Sequence, residues 1–556
     1  MIQAIKDDIK TSVMLGLNNP DINVVVEEPK RGNADLAIPL FGLVKQLGMS
    51  MAELSSKVSA ILEDNPSISE TQFLNGFLNI SIDRVRLSKE VIEEVLTEKE
   101  KFGNDTINQT VCIDYSAPNI AKSFSIGHLR STMIGNALKN IYTKLGYKVI
   151  GINHLGDWGT QFGKMIVAYK LWGDRKLIEQ NPITELQKLY VKFHQESESN
   201  PSLEDDARAI FKRLEDGDQE MLELWQYFRD ESLKEFMSMY DLLGVSFDSY
   251  DGESFYNDKM EAIADRLDEL GLLVEDDGAM IVRLGDQIPP ALIKRRDGAT
   301  LYITRDLAAL MYRYNHYHFD KVLYVVGNEQ KLHFEQLKAV TKLMGHDFDI
   351  EHVNFGLVLQ DGKKMSTRGG NVVKLYDVIK EAIEQALNAI TLKNPNISNK
   401  EMVAKAVGIG AVIFNDLKND RNSEIEFNLD QMLAFEGQTG PYLQYSSVRI
   451  ASILKNQTLS EISNYDIFNE PLYFELVKLL ASFNQTLKKA TEVNGPHVIS
   501  RYLLQLSQTF NQFYGQHKII TEDEAVKQAN LHLILAVRTV LNEGLRLLGM
   551  TALDEM

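Results

Sequence analysis

Apolar residues alternate with others along "TVCIDYS", where Val111, Ile113 and Tyr115 share one side of an extended chain and the run stops at Ser116 and Pro118. A period of two predicts a β-strand. Beyond Gly127 the spacing changes. Leu129, Met133, Ala137, Ile141 and Leu145 recur every four residues, which predicts a helix with one apolar stripe. "KVIGIN" (148–153) then reads as the next strand, completing a strand–helix–strand unit.

Followed along the chain, this patterning separates three regions. Residues 1 to 105 mix helical and strand-like runs, among them "MAELSSKVSAIL" and "FLNGFLNISI", and predict an α+β domain. Residues 106 to 375 alternate strands with helices, the pattern of a parallel α/β sheet carrying insertions. From 376 to 556 the strand signal fades and amphipathic helices dominate, as in an all-α helical bundle. The last of them places Ile534, Val537, Leu541, Leu545 and Leu548 on one stripe.

Composition narrows the picture modestly. A chain of 556 residues is too long for one core, and 44% hydrophobic with 25% charged residues is ordinary for a globular protein. No apolar run has the length of a membrane span, and "MIQAIKDDIK" lacks the apolar core of a secretion signal. The one cysteine, Cys112, cannot form an internal disulfide, which suits a reducing cytosol; set in an apolar strand, it reads as packing. A net charge of −19 argues against indiscriminate nucleic-acid binding but leaves room for a confined basic face. The acidic run "ESESNPSLEDD" (196–206) reads as solvated, and "YRYNHYHF" (312–319) as aromatic packing in preference to a metal site.

Candidate chemistry begins at "NIAKSFSIGHLRST" (119–132), where Lys122, His128 and Arg130 gather around Gly127 at the mouth of the expected helix. Helix N-termini beyond the carboxyl edge of a parallel sheet receive anions, so these cations are expected to meet the phosphates of a nucleotide. Gly127, lacking Cβ, would let the backbone approach a phosphate or base, while Lys122 and His128 donate to phosphate oxygens. A helix cap at His128 and a solvated Lys122 form the competing reading. A second loop, "LVLQDGKKMSTRGGNVVK", follows a strand-like run from Val353 to Leu359 and sets Lys363, Lys364, Arg368 and Lys374 against one carboxylate. With Gly362, Gly369 and Gly370 it has the make-up of a cationic lid for a triphosphate, or else of a surface hairpin.

"SIGH" followed by "KMSTR" resembles the paired signature loops of class I aminoacyl-tRNA synthetases. "SAPNIAK…GHLRST", "NHLGDWGTQFG", "YITRDLAAL", "GPYLQYSSVR" and "EGLRLLG" occur in the order of the arginyl-tRNA synthetase family, so the likeness covers essentially the whole chain. Two places depart from it. Ser125 stands where the first signature usually begins with histidine, and Thr367 where the second usually carries lysine.

The resemblance implies a Rossmann-like α/β catalytic domain between an N-terminal tRNA-binding domain and a helical anticodon-binding domain. It also implies ATP, L-arginine and tRNA(Arg) as reactants, magnesium travelling with the nucleotide without a dedicated protein site, and a cytoplasmic monomer. Lys122, His128 and Lys364 would act on the phosphates, and Lys122 would stand in for the lysine absent at Thr367. Ser125, Gly127, Met365, Ser366 and Arg368 would complete the ATP site. Tyr302 and Asp306, four residues apart and so on one face of a helix, would meet the substrate guanidinium, while Asp114, Asn119 and Gln330 hold its α-amino end. A salt bridge of Asp306 to Arg305, or a cap, is the alternative. Asn153, His154 and Asp157 would border the site, with a structural turn packed by Trp158 as the other reading. Tyr442, Tyr445 and Arg449 would stack on anticodon bases, or the tyrosines would pack in the core. The acidic run from Glu196 to Asp206 is expected to face away from the tRNA. Another class I synthetase and a non-catalytic tRNA-binding relative remain alternatives. Arginine-dependent exchange of pyrophosphate into ATP separates the three.

Overall fold

The computed structural model describes residues 1–29, 34–120, 122, 124–296, 302–360, 362–364 and 373–556, with Lys364 described in its backbone only. Its centre is a parallel four-stranded sheet: β1 (Thr110–Asp114), β2 (Lys148–Ile152), β3 (Lys321–Tyr324) and β4 (Asp349–His352), in the order β4-β3-β1-β2. Asp114 pairs with Ile152 on one side and Tyr324 on the other, so three strands end level at the carboxyl edge.

The period-two pattern has a direct consequence here. Val111, Ile113 and Leu323 face one core, which contains the apolar stripe of helix α1 (Ile126–Lys144). Cys112, Val322 and Ile350 face another, shared with Ile303, Leu307 and Leu310 of helix α2 (Tyr302–Tyr317) and Leu337 and Val340 of helix α3 (Lys331–Leu343). Helices on both faces make the doubly wound arrangement, in which ligands bind where the strand order reverses, here between β1 and β3. Helix α1 stops where Gly146 takes φ 81, and a Cβ there would stand 2.3 Å from the Asp105 carbonyl oxygen. Burial raises the Cys112 thiol pKa to about 12, consistent with packing and not reactivity.

Before the sheet, the strands Ile68–Leu74 and Phe77–Ile82 form a hairpin on which Leu36–Pro39 pairs. Its turn, Asn75 and Gly76 at φ 51 and 83, is the tight type that matches strand twist. Met51–Leu62 is a helix, as its spacing predicts. Helices between Gln161 and Leu243 form an insertion after β2, and the acidic run spans the turn between two of them, Pro182–Ser199 and Ser202–Glu215, mostly exposed. Tyr312, Tyr314 and His316 pack against aromatic neighbours.

One expectation is corrected. Val353 to Leu359 is not a single strand: β4 ends at His352, and a separate short strand, Val358–Gln360, pairs with Ile425–Glu426. The break has a packing cause. Arg421 donates from Nη1 to the Asn354 carbonyl and Oδ1 at 2.6 and 2.7 Å, and Gly356 presses on the backbone of Asn422 and Ser423. After this crossing come helices α4 (Leu375–Lys393), α5 (Lys400–Leu417), α6 (Gly440–Leu454), α7 (His497–Gln516) and α8 (Glu524–Leu547), which form the C-terminal bundle. Among the described residues no helix is long and apolar enough to cross a membrane.

Candidate functional site

Loops leaving the carboxyl edge of the sheet carry the chemistry, and local strain marks the first of them. Immediately after β1, Ser116 and Ala117 take φ 74 and 44, a conformation that side-chain-bearing residues hold only when their surroundings compel it. The compulsion is visible: the Ser116 amide donates to Ser131 Oγ at 2.9 Å, and its hydroxyl lies 2.8 Å from both Thr132 Oγ1 and the Tyr240 hydroxyl. Further on, the Ile120 amide donates to the Gly156 carbonyl at 3.0 Å and the Gly156 amide to the Pro118 carbonyl at 3.1 Å. Gly156 tolerates this only without a Cβ, which would sit 2.3 Å from Asn119 Oδ1. The "SAPN" and "HLGDWG" segments are thus stitched into one floor.

At the N-terminus of α1 the helix-cap reading of His128 holds. Ser125 is the cap residue, and its amide donates to His128 Nδ1 at 3.1 Å. An Nδ1 that accepts leaves the ring proton on Nε2. Burial, aided by the charge of Lys122, lowers the His128 pKa to about 4. His128 therefore offers a neutral Nε2–H donor at pH 7, not a cation. The Ser125 hydroxyl lies 3.0 Å from Nδ1 of the same ring, while Gly127 and Lys122 are exposed. Arg130 departs from the expected cluster. Its guanidinium is buried, bonded from Nε to Asp416 Oδ1 at 3.0 Å and from Nη1 to the Gly356 carbonyl at 2.7 Å. It ties α1 to the C-terminal bundle because it lies on the inner face of the helix, where Asp416 is the counter-charge.

The end of the second basic segment comes to the same place. Ser125 forms a backbone bridge with Lys374, and the Leu375 amide donates to the Phe124 carbonyl at 2.9 Å. The loop's start is a hairpin in which Leu359 pairs with Lys364 and Gln360 with Lys363. Lys363 is exposed, and Lys374 Nζ donates to Thr184 Oγ1 at 3.3 Å. The Lys364 side chain and Met365, Ser366, Thr367 and Arg368 lie outside the described residues.

On the opposite face of the sheet, α2 presents Tyr302, exposed, and Asp306, one turn on. Arg305 does not pair with Asp306; it reaches Glu253 Oε2 at 3.3 Å. Burial raises the Glu253 pKa to about 7, against the opposing pull of Arg305. Asp306 instead accepts from His333 Nε2 at 2.5 Å through Oδ2, and His154 Nε2 stands 3.9 Å from Oδ1. His154 Nδ1 lies 3.2 Å from the Asp251 carbonyl, which can only accept, so the proton sits on Nδ1 and Nε2 carries a lone pair. Burial pushes the Asp306 pKa up, but the hydrogen bond from His333 and the positive charge around it outweigh it, and the net shift is downward.

The remaining expected residues fall into place unevenly. Asp114 ends β1 but is already paired, its Oδ2 2.8 Å from Nη1 of buried Arg313. Gln330, exposed, precedes α3. Asn153 and Asp157 are fully buried: Asn153 donates to the Tyr240 hydroxyl at 2.9 Å, and Asp157 pairs with Arg229 at 2.9 Å. Trp158 stacks edge-on against Trp225, so this turn is structural apart from His154. His333 and Arg313 escaped the sequence reading because no motif spacing links them to the carboxylates they meet.

In the C-terminal bundle, Tyr442, Tyr445 and Arg449 of α6 line a cavity of about 700 Å³ with Phe435 and Asn511. Arg449 lies 5.0 Å from the Tyr445 ring centre and 5.1 Å from that of Tyr514, and it also bonds to Asn511 Oδ1. Tyr445 is exposed, which excludes core packing for it, while the partly buried Tyr442 hydroxyl accepts from Asn511 at 2.9 Å.

Comparison with known proteins agrees with this layout. Residues 1–82 match the model of the arginyl tRNA synthetase N terminal domain, 91–429 that of the class I (R) tRNA synthetase catalytic domain, and 443–556 that of the DALR anticodon binding domain. The chain is 50% identical over 540 residues to an arginine–tRNA ligase of an Exiguobacterium species, covering 96% of each. It is also 50% identical over 548 residues to that of Enterococcus faecalis, covering 97% of each. In fold it is similar to Thermus thermophilus arginyl-tRNA synthetase, with TM-score 0.83 and 22% identity over 99% of this chain and 100% of that one. The Plasmodium falciparum enzyme gives 0.79 and 24%, over 100% and 99%. With its three regions matched in order and half its residues shared with curated ligases, the chain belongs to the class I arginyl-tRNA synthetase family.

Proposed function

We propose that the two faces of the sheet divide one reaction, with ATP phosphates at the N-terminus of α1 and the arginine guanidinium at Asp306. The chain is an arginine–tRNA ligase. In such a reaction the carboxylate of arginine attacks the α-phosphorus of ATP and pyrophosphate leaves. The ribose hydroxyl at the end of tRNA(Arg) then attacks the adenylate carbonyl and AMP leaves. No protein nucleophile is needed; alignment and charge neutralisation suffice.

The observation that supports this reading is the backbone bridge between Ser125 and Lys374, which joins the end of the second basic segment to the cap of α1. There the exposed Lys122 would supply positive charge and His128 a neutral Nε2–H, and the family likeness assigns a second cation to Lys364, whose side chain lies outside the described residues. Magnesium would arrive with the triphosphate, held by nucleotide oxygens and water, and offset its charge. At the other end, a guanidinium N–H placed between Asp306 Oδ1 and the lone pair of His154 Nε2 finds two acceptors, with Tyr302 beside it. Asn119 and Gln330 are left to the α-amino end, since Asp114 is already paired with Arg313.

We assign residues 1–105 to the outer corner of the tRNA, 106–375 to catalysis and 376–556 to the anticodon, where the cavity lined by Tyr442, Tyr445 and Arg449 suits a splayed base. A cytoplasmic monomer fits this role. The test is pyrophosphate exchange into ATP. It should require arginine, respond to tRNA(Arg), and slow by roughly ten- to a hundredfold in Lys122→Ala, since a charged donor to phosphate is lost. An unchanged rate in that variant would remove Lys122 from the chemistry.

A further inference from the structure

A carboxylate meant for a substrate guanidinium should stand unpaired, yet Asp306 already holds a hydrogen bond at 2.5 Å from His333. The bond is specific in direction. A carboxylate only accepts, so Nε2–H of His333 donates to Oδ2. It arrives from a separate element: Asp306 lies in the first turns of α2 and His333 in the first turn of α3, 27 residues later in the chain. The imidazole is itself held in place, its ring edge-on to Phe334 at 5.3 Å, with one-fifth of its side chain exposed.

The terminal torsion of an aspartate is broad, so an untethered carboxylate samples many planes. A planar guanidinium donates two parallel hydrogen bonds only when the carboxylate plane matches its own. One anchored lone pair on Oδ2 sets that plane and leaves the other lone pair of Oδ2 and both of Oδ1 for substrate. An arginine or lysine at position 333 would fill the site with its own full charge, and an apolar residue would leave the plane free.

We propose that His333 is a positioning residue for arginine selection, holding the Asp306 carboxylate in the plane that a guanidinium requires. This rests on the reading that Asp306 meets the substrate guanidinium. His333 touches neither nucleotide nor reacting atoms, so its loss is felt in capture of arginine and not in the chemical step.

Pyrophosphate exchange by the full-length chain, with tRNA(Arg) present, tests this in His333→Ala and His333→Gln. The alanine variant should raise KM for arginine about tenfold, with KM for ATP and the rate at saturating arginine within about twofold of the unaltered chain. Glutamine, whose amide N–H reaches the place of Nε2–H, should recover arginine capture to within about threefold. If the alanine variant fails to fold, His333→Phe, which keeps the ring and loses the donor, takes its place with the same expectation. Unchanged KM for arginine, or equal rises for arginine and ATP, overturns the proposal. Asp306→Asn separates the two layers: unchanged KM for arginine there overturns the guanidinium reading itself, whereas a large rise with silent His333 variants overturns only the role of His333.

Discussion

Two carboxylates meet the helix α2, one from the sheet and one of its own, and are treated in opposite ways. Asp114 is sealed against Arg313, with side chains 6% and 1% exposed, whereas Asp306, at 26%, accepts its hydrogen bond from an imidazole among the described residues. A guanidinium from the chain's own α2 neutralises Asp114 permanently, since arginine stays protonated at any working pH. The His333 imidazole binds Asp306 through one nitrogen and leaves acceptor capacity over. A protein keeps a binding site for a cation by withholding a guanidinium from that carboxylate and supplying a weaker partner that orients it. Asp416, bonded to buried Arg130, falls in the sealed class, and burial still raises its pKa because the pairing does not fully offset desolvation.

The sharpest way to break this contrast is to remove the sealed partner. Arg313 Nε and Nη2 have no hydrogen-bond partner among the described residues, so its pairing rests on Asp114. Arg313→Leu strands a buried carboxylate and should cost about 3–5 kcal/mol of stability, seen as an early transition in chemical denaturation. A cost within experimental error would mean that Asp114 is not sealed after all.

Next in size is the open carboxylate. Asp306→Asn keeps the shape and loses the charge, and should raise KM for arginine by about two orders of magnitude while KM for ATP stays within about twofold. Its stability should change far less than that of Arg313→Leu, because Asp306 has solvent and two histidines around it. Equal effects on both KM values would merge the two classes.

The smallest effect lies at the nucleotide end. Burial lowers the His128 pKa to about 4, against roughly 6.5 for a free imidazole, so between these values the unfolded chain binds the extra proton. Stability from this residue is therefore complete above about pH 6.5 and is lost as pH falls toward 4. His128→Asn, which does not titrate, should show a shallower loss of stability over that window. Parallel curves for the two proteins would mean that His128 is not the depressed group.

The sequence alone settled what depends on local spacing. Alternation at Val111, Cys112 and Ile113 set which side chains face which core, the four-residue recurrence set the stripe of α1, and the five ordered motifs set the family and the carboxyl-edge loops. It was silent or misleading wherever a side chain had to choose among partners distant in the chain. Arg130 looked like a phosphate ligand and turned inward to Asp416; Arg305 adjoins Asp306 yet pairs with Glu253; His333 carried no signal and holds Asp306. Periodicity is a property of the backbone repeat, fixed within one element. Charge pairing is decided by which helix lies opposite and which partner loses least hydration on reaching it, and only the assembled sheet with α1 on one face and α2 and α3 on the other determines that.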